Sequence, residues 1–134
     1  MGSEMCIRDR GRIAEIINER RRLADRYKSL LGNDERIQLP YEPPEYRHVY
    51  QSYCIRLLTE KSQVAVMNDL AKRNVAARRI IAIHLEPLYQ GSTHGVFLPE
   101  TERATRETML LPIFVGLTDA EQDEVVVALQ MALE

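Results

Sequence analysis

From Arg12 to Leu31 the apolar residues Ile13, Ile16, Ile17, Ala24, Tyr27, Leu30 and Leu31 return every three or four positions, which predicts an amphipathic helix. Gly32-Asn33 is its stop signal. About 20 helical residues span about 30 Å, more natural for a strut joining two domains than for a small domain's own helix, so a further domain is expected upstream. Pro40, Pro43 and Pro44 make Ile37 to Tyr46 an extended connection. The alternation from Val49 to Leu58 then predicts a strand with Val49, Tyr53, Ile55 and Leu57 on one face. His48 opens it. Tyr50, Ser52, Cys54 and Arg56 share the other face, a mixture suited to a surface partly covered by helix, neighbouring domain or partner subunit.

Ser62 is a good N-cap for a helix carrying Val66, Met67, Leu70 and Ala71 on one side, and Asn74 can take the left-handed conformation that ends it. A strand over Val75 to Ile83 completes a β-α-β unit. Its two strands are expected to be sheet neighbours, parallel under the usual right-handed crossover. Gly91-Ser92-Thr93-His94-Gly95 matches neither a P-loop nor a dinucleotide fingerprint and reads as a loop tip. Pro99 suits the start of a short helix to about Glu107, with Glu100 and Glu102 in the first turn where the helix dipole favours anions. Met109 to Phe114 reads as a further strand ended by Pro112. Thr118 and Glu121 have the capping-box spacing for a last helix with Val125, Leu129, Ala132 and Leu133 inward, and the chain is expected to stop inside it. The fold class is α+β: a small three- or four-stranded sheet with helices packed on one face.

With 134 residues, one domain is the default, and 45% hydrophobic with 28% charged residues suits a globular core. No apolar run approaches the roughly 18 residues of a membrane span. Eighteen Lys+Arg against twenty Asp+Glu leave −2, with no basic footprint for nucleic acid or an anionic membrane. Residues 1–10, Met-Gly-Ser-Glu-Met-Cys-Ile-Arg-Asp-Arg, have no helical or strand period. Gly2 to Arg10 resembles the translated end of a transposase sequencing adaptor, so this segment is set aside from fold reasoning and expected to be disordered. The two cysteines, 48 positions apart, make neither a metal spacing nor a disulfide framework, which points to a reducing, cytoplasmic context, and setting the segment aside removes Cys6 and leaves Cys54 alone.

Chemistry concentrates in Arg78 to Tyr89, where Ile80 to Ile83 reads as a buried strand that breaks into His84, Glu86, Pro87 and Tyr89. Pro87 forces Glu86 into an extended or turn conformation and sets a rigid bend from which polar side chains can reach a cleft. His84 and Glu86 resemble an acid/base pair, yet two residues apart in an extended segment they need not meet. His48, His84, His94, Glu86 and Cys54 have no zinc spacing. Cys54 lies mid-strand, away from any helix N-terminus that would lower its pKa, and reads as structural. Arg20, Arg21 and Arg22 point three ways around a helix beside Glu19 and Asp25 and read as a solvated face rather than a phosphate site.

Several of these segments, in this order, resemble the DegT/DnrJ/StrS family of sugar aminotransferases. Glu19-Arg20-Arg21-Arg22 with Tyr27 is similar to that family's Arg-rich helix, and His48-Val49-Tyr50 with Tyr53 to its His-x-Tyr strand. His84 to Tyr89 is similar to its His-x-x-Pro-x-Tyr segment, and Leu98 to Glu102 with Leu111 to Phe114 to its closing Pro-x-x-Glu and Leu-Pro segments. Ile80 and Asn74 stand where glycine is usual.

The resemblance implies that residues 11–134 are the C-terminal small domain of a fold-type I, pyridoxal-phosphate-dependent enzyme that aminates a nucleotide-linked keto-sugar, with an amino donor such as glutamate. It implies a homodimer, and an N-terminal large domain, not in this chain, that holds the cofactor and its lysine. Lys28, Lys61 and Lys72 all fall on helices or a helix-entry turn, and none has the desolvated setting that an imine-forming amine needs. No catalytic, cofactor-binding or metal residue is therefore expected in this chain, and no cofactor on it alone. His84, Tyr89 and His48 are the expected substrate-binding residues. The rival is a self-sufficient, non-catalytic α+β interaction or regulatory module.

Overall fold

The structure is a computed structural model that describes residues 10–89, 91 and 95–134; the adaptor-like residues 1–9, and with them Cys6, lie outside the described residues, as does His94. Helix α1 runs over Ile13–Leu31 and ends at Gly32, as the periodicity predicts. Gly32 keeps a right-handed φ of −63°, and its use is space: a Cβ there would sit 2.6 Å from the Lys28 carbonyl oxygen. Strand β1 (Ile37–Gln38) and strand β2 (Tyr53–Leu57) follow. Helix α2 (Gln63–Lys72) is capped by Ser62, whose hydroxyl accepts from the Ala65 N–H at 3.2 Å. Asn74 takes the left-handed φ of 61° expected of it. Strand β3 (Arg78–Arg79), a 3-10 turn (Ile83–Leu85), helix α3 (Pro99–Glu107), strand β4 (Thr108–Leu111) and helix α4 (Asp119–Ala132) complete the chain. Thr118 and Glu121 form the predicted capping box.

The four strands make one sheet in the order β1-β2-β4-β3, with each neighbouring pair antiparallel. This corrects the β-α-β reading. β2 and β3 do run in the same direction, but β4 lies between them, so the unit is split. A local pattern reports which segments are strands; which strand inserts between them is decided by a segment 30 residues further on, and Arg78–Arg79 is too short to signal its own pairing.

One face of the sheet is dry. Tyr53, Ile55, Leu57, Met109 and Leu111 are buried, in alternation with half-buried Cys54, Arg56, Thr108 and Leu110. Leu23, Tyr27 and Leu31 of α1, Val66 and Leu70 of α2, and Val125 and Leu129 of α4 join them in one core. α3 contributes no buried side chain and runs directly into β4. The predicted strand start at Val49 is wrong, because Tyr50 takes a φ of 46° and re-aims the chain. Val49 is exposed and Tyr50 is buried in its place. Two polar groups sit within the core: Gln122 donates to the Leu23 carbonyl at 3.0 Å and the Tyr27 hydroxyl to the Pro112 carbonyl at 2.9 Å. Burial pushes the Tyr27 phenol up to about 12.

Candidate functional site

Past Arg79 the expected buried strand does not form. Ala82 is buried, but Ile81 is 50% and Ile83 63% exposed, and the chain closes a turn through Leu85 N–H to the Ala82 carbonyl at 2.9 Å. Glu86 is extended before Pro87, as its place predicts. The Tyr89 N–H then returns to the Glu86 carbonyl at 2.9 Å, which fixes the bend.

His84 is buried on this turn, and its Nε2 lies 3.2 Å from Glu102 Oε1 in the first turn of α3. The His84 hydrogen bond is the main reason that the Glu102 carboxyl is held below the usual carboxylate range. An ionised carboxylate only accepts, so the proton of this contact belongs to His84 Nε2. The acid partner is thus Glu102, not Glu86. Sequence distance hid it, since the two residues are 18 positions apart with a loop between them. Beside them lies an open pocket of about 430 Å³ whose wall is Ile81, Ile83, Val96, Leu98, His84 and Thr101. Tyr89 follows on the same bend, 45% exposed. Apolar walls with an imidazole edge and a nearby phenol suit a ligand that is partly apolar and partly hydroxylated.

His48 stands elsewhere. It precedes the end of β2 that pairs Tyr53 with Leu111, whereas the His84 turn follows the end of β3 that pairs Arg79 with Met109. Those are opposite ends of the sheet, so the structure brings His84 and Tyr89 to one bend and leaves His48 apart. His48 is held by its surroundings: its N–H donates to Glu42 Oε1 at 2.6 Å, its carbonyl accepts from Arg21 Nη1 at 2.6 Å, and its Nδ1 accepts from the Tyr50 N–H at 2.8 Å.

The solvated-face reading of the arginine run is corrected here. Arg20 donates to the carbonyls of Tyr50 at 2.9 Å and Gln51 at 2.7 Å, Arg21 forks onto Glu42 at 2.7 and 3.0 Å, and Arg22 reaches Glu19 and, across to α4, Asp119 at 2.9 Å. Three directions around the helix serve three separate anchors. Arg21 draws the Glu42 carboxyl down to about 2. The distance in sequence of Glu42, Tyr50, Gln51 and Asp119 kept these anchors out of sight.

Among the described residues, Cys54 is not set up as a nucleophile. Cys54 is half-buried, and burial pushes its thiol up rather than down. Among the described residues, no three His, Cys, Asp or Glu side chains are placed to share a metal ion. Lys61 and Lys72 both pair with Asp69, at 3.4 and 2.9 Å, and Lys28 is exposed. Ion-paired or exposed amines lack the desolvated setting that an imine-forming lysine needs, so the residues present do not fit such a cofactor.

The fold is a four-stranded split sheet with helices on one face and an imidazole–carboxylate pair at an open, apolar end. Solved aminotransferases contain it. The aminotransferase TlmJ from Streptoalloteichus hindustanus superposes with a TM-score of 0.81 at 28% identity, over 91% of this chain and 33% of that one. S. venezuelae DesV, solved in complex with a ketimine intermediate, gives 0.80 at 25% identity, over 92% and 34%. The dTDP-4-dehydro-2,3,6-trideoxy-D-glucose 4-aminotransferase of Saccharopolyspora spinosa is 31% identical over 125 residues, 92% of this chain and 31% of that protein. The chain belongs to the DegT/DnrJ/EryC1/StrS aminotransferase family, which matches it over residues 5–130. It spans about a third of the length of the relatives it matches.

Proposed function

We propose that residues 11–134 are the small C-terminal domain of a pyridoxal-phosphate-dependent aminotransferase that aminates a nucleotide-linked keto-sugar, with glutamate or a similar amino donor. The observation that carries this is the family match over residues 5–130. The Saccharopolyspora spinosa relative, named for a dTDP-linked keto-sugar, supports the substrate class. The cofactor and its lysine belong to the part of the enzyme outside this chain, in keeping with the ion-paired or exposed state of Lys28, Lys61 and Lys72. Cys54 as a lone thiol in residues 11–134 supports a cytoplasmic enzyme, and no helix among the described residues is long and apolar enough to cross a membrane.

His84 and Tyr89 bind the sugar nucleotide at the bend, with Glu102 holding His84. His48, at the far end of the sheet, offers only Nε2 to a ligand, since Nδ1 is engaged by Tyr50. Leu88, Phe97, Ile83 and Ile81, each half or more exposed, form the apolar surface against which the large domain or the second subunit of a homodimer packs. The genomic sequence upstream of Gly11 tests the reading. A frame that continues into a strand-rich domain with an unpaired lysine is the expected result; a start codon at this boundary would return the chain to a self-sufficient module.

A further inference from the structure

Tyr50 sits in the left-handed backbone region at φ 46°, where a bulky aromatic residue is an outlier. The one other described non-glycine residue with positive φ, Asn74, ends a helix in the conformation asparagine favours. Tyr50 has no such local reason, so its surroundings impose the turn. Arg20 grips the carbonyls of Tyr50 and Gln51 from one side. From the other, His48 Nδ1 accepts the Tyr50 N–H at 2.8 Å, and the two rings lie 4.3 Å apart. The Tyr50 ring is buried, 6.1 Å from Tyr53, with the Arg21 guanidinium 5.8 Å from its centroid. Glu42 and Arg21 hold the main chain of His48 at both its N–H and its carbonyl, so the imidazole is aimed rather than free.

We propose that His48 is a proton-operated latch on the entry to β2: its neutral ring holds Tyr50 in the left-handed turn, and protonation releases it. The acceptor role of Nδ1 requires a ring whose proton is on Nε2, and the imidazolium, which donates at both nitrogens, cannot make this contact. Imidazole is the side chain whose ordinary titration falls between pH 5 and 8. The charged and titratable groups around it are Glu42 and Arg47 from its own segment, Arg20, Arg21 and Asp25 from α1, and Tyr50 and Tyr53 beyond. Carboxylates, guanidiniums and phenols ordinarily keep their charge across that range. The Glu42 carboxyl is held lower still by Arg21, and burial raises the Tyr50 and Tyr53 phenols. Of the side-chain types at the latch, imidazole is the one that ordinarily changes charge in that range, so the device is placed on His48. A second proton there sets a cation beside Arg21 and removes the partner of the Tyr50 N–H. The turn then relaxes, and the Tyr50 ring leaves its place beside Tyr53. This device belongs to the chain itself and does not depend on the aminotransferase reading.

The test is a pH titration of the 15N-labelled 134-residue chain by NMR from pH 8 to pH 5, following the His48 ring and the exchange protection of the Tyr50 amide together. The Tyr50 protection factor should fall at least about tenfold, as expected for an opened hydrogen bond, with the midpoint of the His48 ring, while the Met109 amide in β4 stays protected. His48→Asn supplies an acceptor that does not titrate and should keep Tyr50 protected at pH 5. Constant Tyr50 protection while His48 titrates, or an equal fall in His48→Asn, would overturn the latch. Should that variant not fold by circular dichroism, the wild-type titration alone decides.

Discussion

At the end of the sheet where β2 begins, Glu42, His48, Tyr50 and Gln51 are each bonded to groups of the same chain, and Arg20 and Arg21 supply the donors from α1. At the end where α3 passes into β4, the Arg56–Glu107 and His84–Glu102 contacts stand beside apolar side chains that face outward, with Leu88 at 85% and Phe97 at 74% exposure. A polar segment can satisfy itself with a few well-aimed arginines. An apolar one is satisfied only by being covered, because hydrophobic gain scales with area removed from water. The first end is therefore finished by its own polar contacts, whereas the second leaves apolar side chains open to solvent.

Side-chain truncation should separate the ends most sharply. Ile55→Ala, at the centre of β2 in the core, should cost about 2–5 kcal/mol in urea unfolding. Tyr27→Phe leaves the Pro112 carbonyl without its donor and should cost roughly 1–3 kcal/mol by the same measurement. A subtler mark of the polar end is its acid response. Glu42 has a folded pKa of about 2 against an ordinary 4.5, so its contact with Arg21 stabilises fully above about pH 4.5 and is lost as pH falls toward 2. Wild type and Glu42→Gln should then differ at pH 6 and converge by pH 2; a constant gap would mean that the ion pair contributes nothing. Least of all, Ile83→Ala at the open end should change the stability of this chain by no more than about 0.5 kcal/mol. A cost near that of Ile55→Ala would show the open end to be packed, and the comparison would fail.

Much of the finished end was legible in sequence as elements and little of it as contacts. Helical spacing placed α1 and α4, Ser62 and Thr118 marked the starts of α2 and α4, and alternation placed β2 from Tyr53 onward. The strand's first residues were not legible, because Val49 and Tyr50 continue an alternation that only tertiary contacts with Arg20 and His48 interrupt. At the open end the isoleucine run from Ile80 to Ile83 misled for a related reason. Its apolar character is real, but an exposed apolar run reads the same as one buried in its own sheet. His84 and Tyr89 stood out by residue type, whereas Glu102 did not, since a first-turn glutamate is explained by the helix dipole alone.

The measurement closest to the central claim is sugar-nucleotide affinity in the full-length enzyme carrying His84→Ala or Tyr89→Phe, read beside the cofactor's absorbance spectrum. His84→Ala should weaken the affinity by roughly three- to a hundredfold, the range of one lost hydrogen bond to a neutral or charged group, with the spectrum unchanged. Unaltered affinity in a stably folded His84→Ala enzyme would contradict it, and would leave His84 as the residue that pins its turn to Glu102 and no more.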